Sequence, residues 1–154
     1  MRRIVRVDGL VLALLLAACG KGAPPPLPPL NAIQPEGIDY PTIKANNLFG
    51  SGCNFVADGG GLAALVLAQE KEAIIKLDGK IVRIPADTGS QILPATARTR
   101  YINADHILIL APIPGGPPAE IGQIQSLPIR LAIVDAAGRP QFTAKGIVQC
   151  KPGS

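Results

Sequence analysis

The segment Glu72–Pro85, EAIIKLDGKIVRIP, places the tightest local constraint on the fold. Asp78-Gly79 favours a two-residue type I′ turn, because both central positions need positive φ, and the flanking residues must then pair as antiparallel strands. Pairing across the turn sets Leu77 opposite Lys80, Ile75 opposite Val82 and Ala73 opposite Ile84. Side chains alternate along a strand, so these residues make one largely apolar face. Ile74 and Ile81 fall on the other face with Glu72, Lys76 and Arg83. One side is expected to point inward and the other to be mixed.

Much of the remaining chain repeats this pattern of short apolar runs broken by Gly, Pro and Asp. In PIRLAIVDAAGRPQFTAKGIVQC, Ile129, Leu131 and Ile133 alternate before a turn at residues 135–139. Phe142, Ala144, Gly146, Val148 and Cys150 then share a face of the returning strand. ARTRYINADHILILAP supplies two strands broken near residues 103–105, and NLFGSGCNFVAD and LAALVLAQ supply two more. Residues 62–71 contain Ala, Leu, Gln and Glu that also suit a helix. A strand is expected there, because Asp58-Gly59-Gly60-Gly61 precedes the run and the hairpin follows at once. About seven to eight short strands predict an all-β fold, a single small antiparallel barrel or sandwich. Gly and Pro make up 33 of 154 residues, which suits a loop-rich fold, and the absence of Trp with only two Tyr and three Phe makes the core aliphatic.

The N-terminus reads as an address. MRRIVRVDGLVLALLLAAC has an arginine-bearing head, an apolar run over residues 10–16 and then small residues, the layout of a secretory signal peptide. Leu16-Ala17-Ala18-Cys19 resembles the lipobox of bacterial lipoproteins at all four positions. The resemblance implies a diacylglyceryl group on the Cys19 sulfur, cleavage before Cys19, which becomes the acylated first residue, and retention at a bilayer. Gly20, where an Asp would retain such a protein at the inner membrane, implies the outer membrane facing the periplasm. Six Pro lie between Pro24 and Pro35, favouring extended polyproline II that cannot join a sheet interior. The expected organisation is a signal peptide over residues 1–18, a lipidated cysteine and Pro-rich tether over 19–45, and a periplasmic β domain over 46–154.

Lipidation of Cys19 would leave Cys53 and Cys150 as a pair, one in each terminal strand of the domain. In an exported protein these are expected to form a disulfide. The bond would close a loop of about 100 residues, worth about 4 to 5 kcal/mol by chain entropy, and would pin the first strand to the last and close the sheet.

Charge points to no nucleic acid. Arg2, Arg3, Arg6 and Asp8 account for two of the four net positive charges, and the remainder is close to neutral. His106 is the only histidine and no Cys-x-x-Cys occurs, so neither a metal site nor a cofactor is expected. No Gly-x-Ser-x-Gly elbow accompanies His106, which suits a solvated turn. Asp87-Thr88-Gly89-Ser90 resembles the catalytic loop of aspartic proteases, which implies a dimer whose two copies of Asp87 share a proton. The same four letters are turn chemistry, with local bonds from Asp and Ser and a permissive Gly. Ser51-Gly52-Cys53-Asn54-Phe55 resembles the Ser-Gly-x-x-Tyr element of lysozyme-inhibiting lipoproteins, with Phe for Tyr and no following Tyr-x-Cys-x-x-Gly. The leading expectation is a lipid-anchored, non-catalytic β domain that binds a protein or envelope partner through loops such as residues 112–126, with the protease and the lysozyme inhibitor as alternatives.

Overall fold

The computed structural model describes residues 33–115 and 118–152, so the signal peptide, Cys19 and the tether up to residue 32 lie outside the described residues. A short helix α1 (Tyr40–Ala45) is followed by strands β1 (Gly52–Ala57), β2 (Val66–Gln69), β3 (Glu72–Leu77), β4 (Lys80–Pro85), β5 (Arg100–Ile102), β6 (Ile107–Pro112), β7 (Ala119–Ile121), β8 (Ile124–Val134) and β9 (Pro140–Lys151). Eight of them run antiparallel in the order β4-β3-β2-β1-β9-β8-β6-β5, with β7 paired to β8. The sheet curls into a nearly closed barrel. Its seam joins the end of β4 to β5 through the Ala86–Tyr101 bridge and the Asp87 N–H donating to the Arg100 carbonyl at 3.0 Å.

The hairpin pairs in the expected register, Leu77 with Lys80, Ile75 with Val82 and Ala73 with Ile84, around Asp78 and Gly79 at φ 49° and 73°. Residues 62–71 contain a strand, β2, and no helix. The loop expected over residues 112–126 is partly ordered as the β7–β8 hairpin, which turns at Gly122 with φ 61°. Its signal was the single Gly between Ile121 and Ile124, which the surrounding Pro and Gly obscured.

Two apolar clusters hold the molecule together. The first fills the barrel with Phe55, Val66, Ile75, Ile84, Tyr101, Leu108, Leu110, Ile129, Leu131, Ile133 and Val148, all fully buried. The second lies outside the barrel wall: Leu67 and Ile74 pack with Ile38, Leu48 and Ala64, flanked by Ile43 and Ile81. Three consecutive buried residues in β2 (Val66, Leu67, Ala68) and in β3 (Ala73, Ile74, Ile75) mean that both faces of these strands are covered.

The cover comes from the segment expected to be tether. Glu36 pairs with Lys76, and Ile38 pairs with Ala64, so residues 36–38 are wedged where β2 and β3 splay apart. The Glu36 carboxylate accepts the Gly79 N–H at 2.6 Å and pairs with Lys76 Nζ at 3.2 Å, contacts that hold it below the usual carboxylate range. Asp39 caps α1 by accepting the Thr42 N–H at 2.9 Å, and bonding to Thr42 lowers its pKa as well. Residues of the 33–45 stretch therefore pack on the barrel, where two isoleucines and a leucine on the outer wall need covering. No helix among the described residues is long and apolar enough to cross a membrane.

A loop over residues 93–97 plugs the barrel end that holds the chain termini of β1 and β9. Leu93 and Ala97 are buried and close the loop through a 2.8 Å backbone bond. Between them Ala95 and Thr96 sit at φ 56° and 64°. A left-handed backbone costs a β-branched residue about 1 to 2 kcal/mol, more than glycine loses in entropy. Thr96→Gly is accordingly expected to stabilise the fold by about 0.5 to 1 kcal/mol, read as a higher urea midpoint.

Tyr101 crosses the core beside this plug. Its hydroxyl donates to the Gln69 carbonyl at 2.8 Å and accepts the Arg98 N–H at 2.7 Å. Burial pushes its pKa from 10.0 up to about 12. Because the folded value is raised, the contribution of the neutral hydroxyl is complete below pH 10 and is lost as pH climbs toward 12. Tyr101→Phe is expected to cost about 1 to 3 kcal/mol at neutral pH by stranding two buried partners. Alkaline denaturation of the variant should show a shallower fall over the same range.

Candidate functional site

Cys53 and Cys150 face each other directly across β1 and β9 and form a disulfide, with Cα atoms 3.9 Å apart. The bond does not close the sheet. It staples two strands that are already hydrogen-bonded neighbours in mid-sheet, while the barrel closes elsewhere, between β4 and β5. Both cysteines are buried, and Cys53 Sγ rests 3.3 Å from the Pro94 carbonyl of the plug.

Asp87 sits at that seam. Its Oδ1 accepts the Gly89 N–H at 3.0 Å, and its Oδ2 lies 3.6 Å from Arg100 Nη1. The Ser90 hydroxyl donates to the Asp87 carbonyl at 2.7 Å, and Arg98 Nη1 donates to the carbonyls of Thr88 and Ser90 at 3.1 and 3.0 Å. Every polar group of Asp-Thr-Gly-Ser named here is engaged in building the turn that leaves β4. His106 also lies in a turn: its N–H donates to Asn103 Oδ1 at 2.7 Å and its Nδ1 is 2.9 Å from Gln141 Oε1. Among the described residues no group of three or more His, Cys, Asp or Glu side chains could hold a metal ion.

Sequence reasoning missed the surface feature with the clearest chemistry. Tyr40 and Phe49, two of the five aromatic residues, are 67% and 58% exposed and meet edge to face with centroids 6.2 Å apart. Tyr40 opens α1 and Phe49 follows it, and the outer apolar cluster seats the helix on β2 and β3. The missed signal was Asp39-Tyr40-Pro41 before Thr42, a cap residue followed by a proline in the first turn.

Two open recesses meet beneath Tyr40, sharing Ile43, Asn54 and Leu67. One, of about 140 Å³, runs toward Phe49 and Gln69. The other, of about 460 Å³, runs toward fully exposed Leu62 and Gln149. Asn54 and Gln149 are cross-strand partners on the outward face. Asp39 is the one charged residue lining either recess, and its carboxylate caps α1. Aromatic and aliphatic surface interleaved with planar amides suits binding of an uncharged group, since it offers stacking and hydrogen bonds but no nucleophile and no acid–base pair. No family model, curated protein or solved structure matches this chain.

Proposed function

We propose that this protein is a lipid-anchored, non-catalytic domain of the bacterial envelope, held through acyl chains on Cys19, and that it binds a protein or envelope partner through the recess at Tyr40 and Phe49. The observation that carries the binding role is the exposure of two aromatic residues over a largely apolar recess whose one carboxylate, Asp39, is engaged in capping α1, in a chain that keeps Tyr101 and Phe55 fully buried. Exposed apolar surface of this kind costs solubility and marks interaction sites. The recess replaces residues 112–126 as the preferred binding surface, because part of that stretch is spent on the β7–β8 hairpin. For Asp87, its Arg100 partner and the bonded turn around it favour a structural role over proton sharing.

The anchor is tested by mass spectrometry of the mature N-terminus, where an unmodified Cys19 thiol would refute it. The binding role is tested by crosslinking and pull-down of the anchored protein from its native envelope. Tyr40→Ala with Phe49→Ala is expected to reduce recovery of the partner by about tenfold or more, as for aromatic anchors elsewhere. Thermal stability should hardly change, since both rings are largely exposed. Equal recovery by the variant would remove the recess from the reading.

A further inference from the structure

Beside the recess, the outward face of the sheet carries its side chains in two rows. Cross-strand pairing sets Asn54 beside Gln149 and Gln149 beside Ser126. Two residues along, it sets Val56 beside Ile147 and Ile147 beside Pro128. The first row holds two planar amides and a hydroxyl, and the second holds only hydrocarbon. Phe55 and Val148, between the rows, point into the core, which keeps both rows outside. Neighbouring strands lie about 4.8 Å apart, so each row of three spans about 10 Å.

The polar row runs up to the aromatic pair. Tyr40 and Asn54 line both recesses, and Gln149 lines the larger. Gln69 donates its Nε2 to the Leu48 carbonyl at 3.0 Å, which leaves its Oε1 to accept. Asn54 and Gln149 are exposed, and their side chains have no hydrogen-bond partner among the described residues. Cations begin only one pair beyond the rows, with Lys151 opposite Gly52 and Lys145 opposite Arg130, and none of these cations lines either recess.

We infer that the ligand of this recess is a neutral glycan chain laid along the two rows, an inference that rests on the recess being a binding site. A sugar ring has an apolar C–H face that stacks on an aromatic ring, and a rim of hydroxyls that each donate and accept. Asn54 and Gln149 offer donor and acceptor in one plane, and Val56 and Ile147 meet the hydrocarbon of the ring. A row of about 10 Å has room for two linked rings. A phosphate or sulfate group would find no cation in the lining. A cationic group would find only the Asp39 carboxylate, which already accepts the Thr42 N–H. A purely apolar ligand would cover both amides without satisfying them, at a cost in affinity.

NMR titration of the full chain in detergent with neutral tetrasaccharides of N-acetylglucosamine, glucose and mannose tests this inference. At least one is expected to shift the side-chain amide signals of Asn54 and Gln149 saturably. The amide of Gln141, which lies beside His106, should stay in place. Asn54→Ala with Gln149→Ala should weaken binding about tenfold or more through the lost hydrogen bonds, with the thermal midpoint unchanged because both side chains are exposed. Acidic tetragalacturonate should leave the signals unmoved. Silence with all three neutral sugars overturns the inference, as does undiminished affinity in the double variant. Tighter, salt-sensitive binding of the acidic sugar overturns it too, since that would make Lys145 and Lys151 the binding groups. If the neutral sugars fail while Tyr40→Ala with Phe49→Ala still reduces partner recovery from the envelope, the recess stands and the glycan falls. If neither responds, the recess falls with it.

Discussion

Replacing Cys53 and Cys150 together by alanine is expected to lower stability by about 4 to 5 kcal/mol, the largest effect of any change considered. The crosslink spans 97 residues and therefore closes a long loop in the unfolded domain, lowering its entropy. In the native state it changes little, because β1 and β9 pair from Gly52–Lys151 to Ala57–Gly146 without its help. Urea denaturation should show a lower midpoint with a steeper slope, since an uncrosslinked chain exposes more surface on unfolding. A loss below about 1 kcal/mol would mean that the bond acts on the folded state and that the chain-entropy account fails. Both sulfurs belong to buried residues, so reductant should act only after the barrel opens.

Ile38→Ala is expected to cost about 3 kcal/mol, although Ile38 lies only three residues after the last proline of the apparent tether. Its side chain is 2% exposed and sits between Leu48, Ala64, Leu67 and Ile74. Deleting most of it leaves a cavity that α1 cannot fill, because the arm is held on both sides by backbone bonds from Glu36 and Ile38. The thermal midpoint should fall by several degrees. If residues 33–45 were a spacer, the same change would have no measurable effect.

The two variants mark the line between what could be read from the chain and what could not. The hairpin register was legible because Asp78-Gly79 dictates its own pairing, and period-two alternation then assigned Ala73, Ile75 and Ile84 to the interior. The cysteine pair was legible because the lipobox resemblance assigns Cys19 and leaves two thiols with one economical use. Ile74 and Ile81 on the outer face were the overlooked clue. Apolar residues on the wet side of a strand require a cover, and Ile38, Ile43 and Leu48 supply it. Tyr40 and Phe49 were invisible as a pair, because residues nine positions apart meet only once the helix that Tyr40 begins is seated on the wall.

The sequence by itself determined that this chain builds short antiparallel strands around an aliphatic core, since turn chemistry and alternation act over a few residues and need no distant partner. It also determined that Asp87 to Ser90 can close a turn from local bonds alone. Only the tertiary structure decided that the sheet curls far enough for β4 to meet β5, which places that turn at the seam and the disulfide in mid-sheet. Only the tertiary structure decided that the arm before α1 belongs to the fold. Both outcomes depend on contacts between segments far apart in the chain, which arise when the sheet twists and closes and which no local pattern encodes.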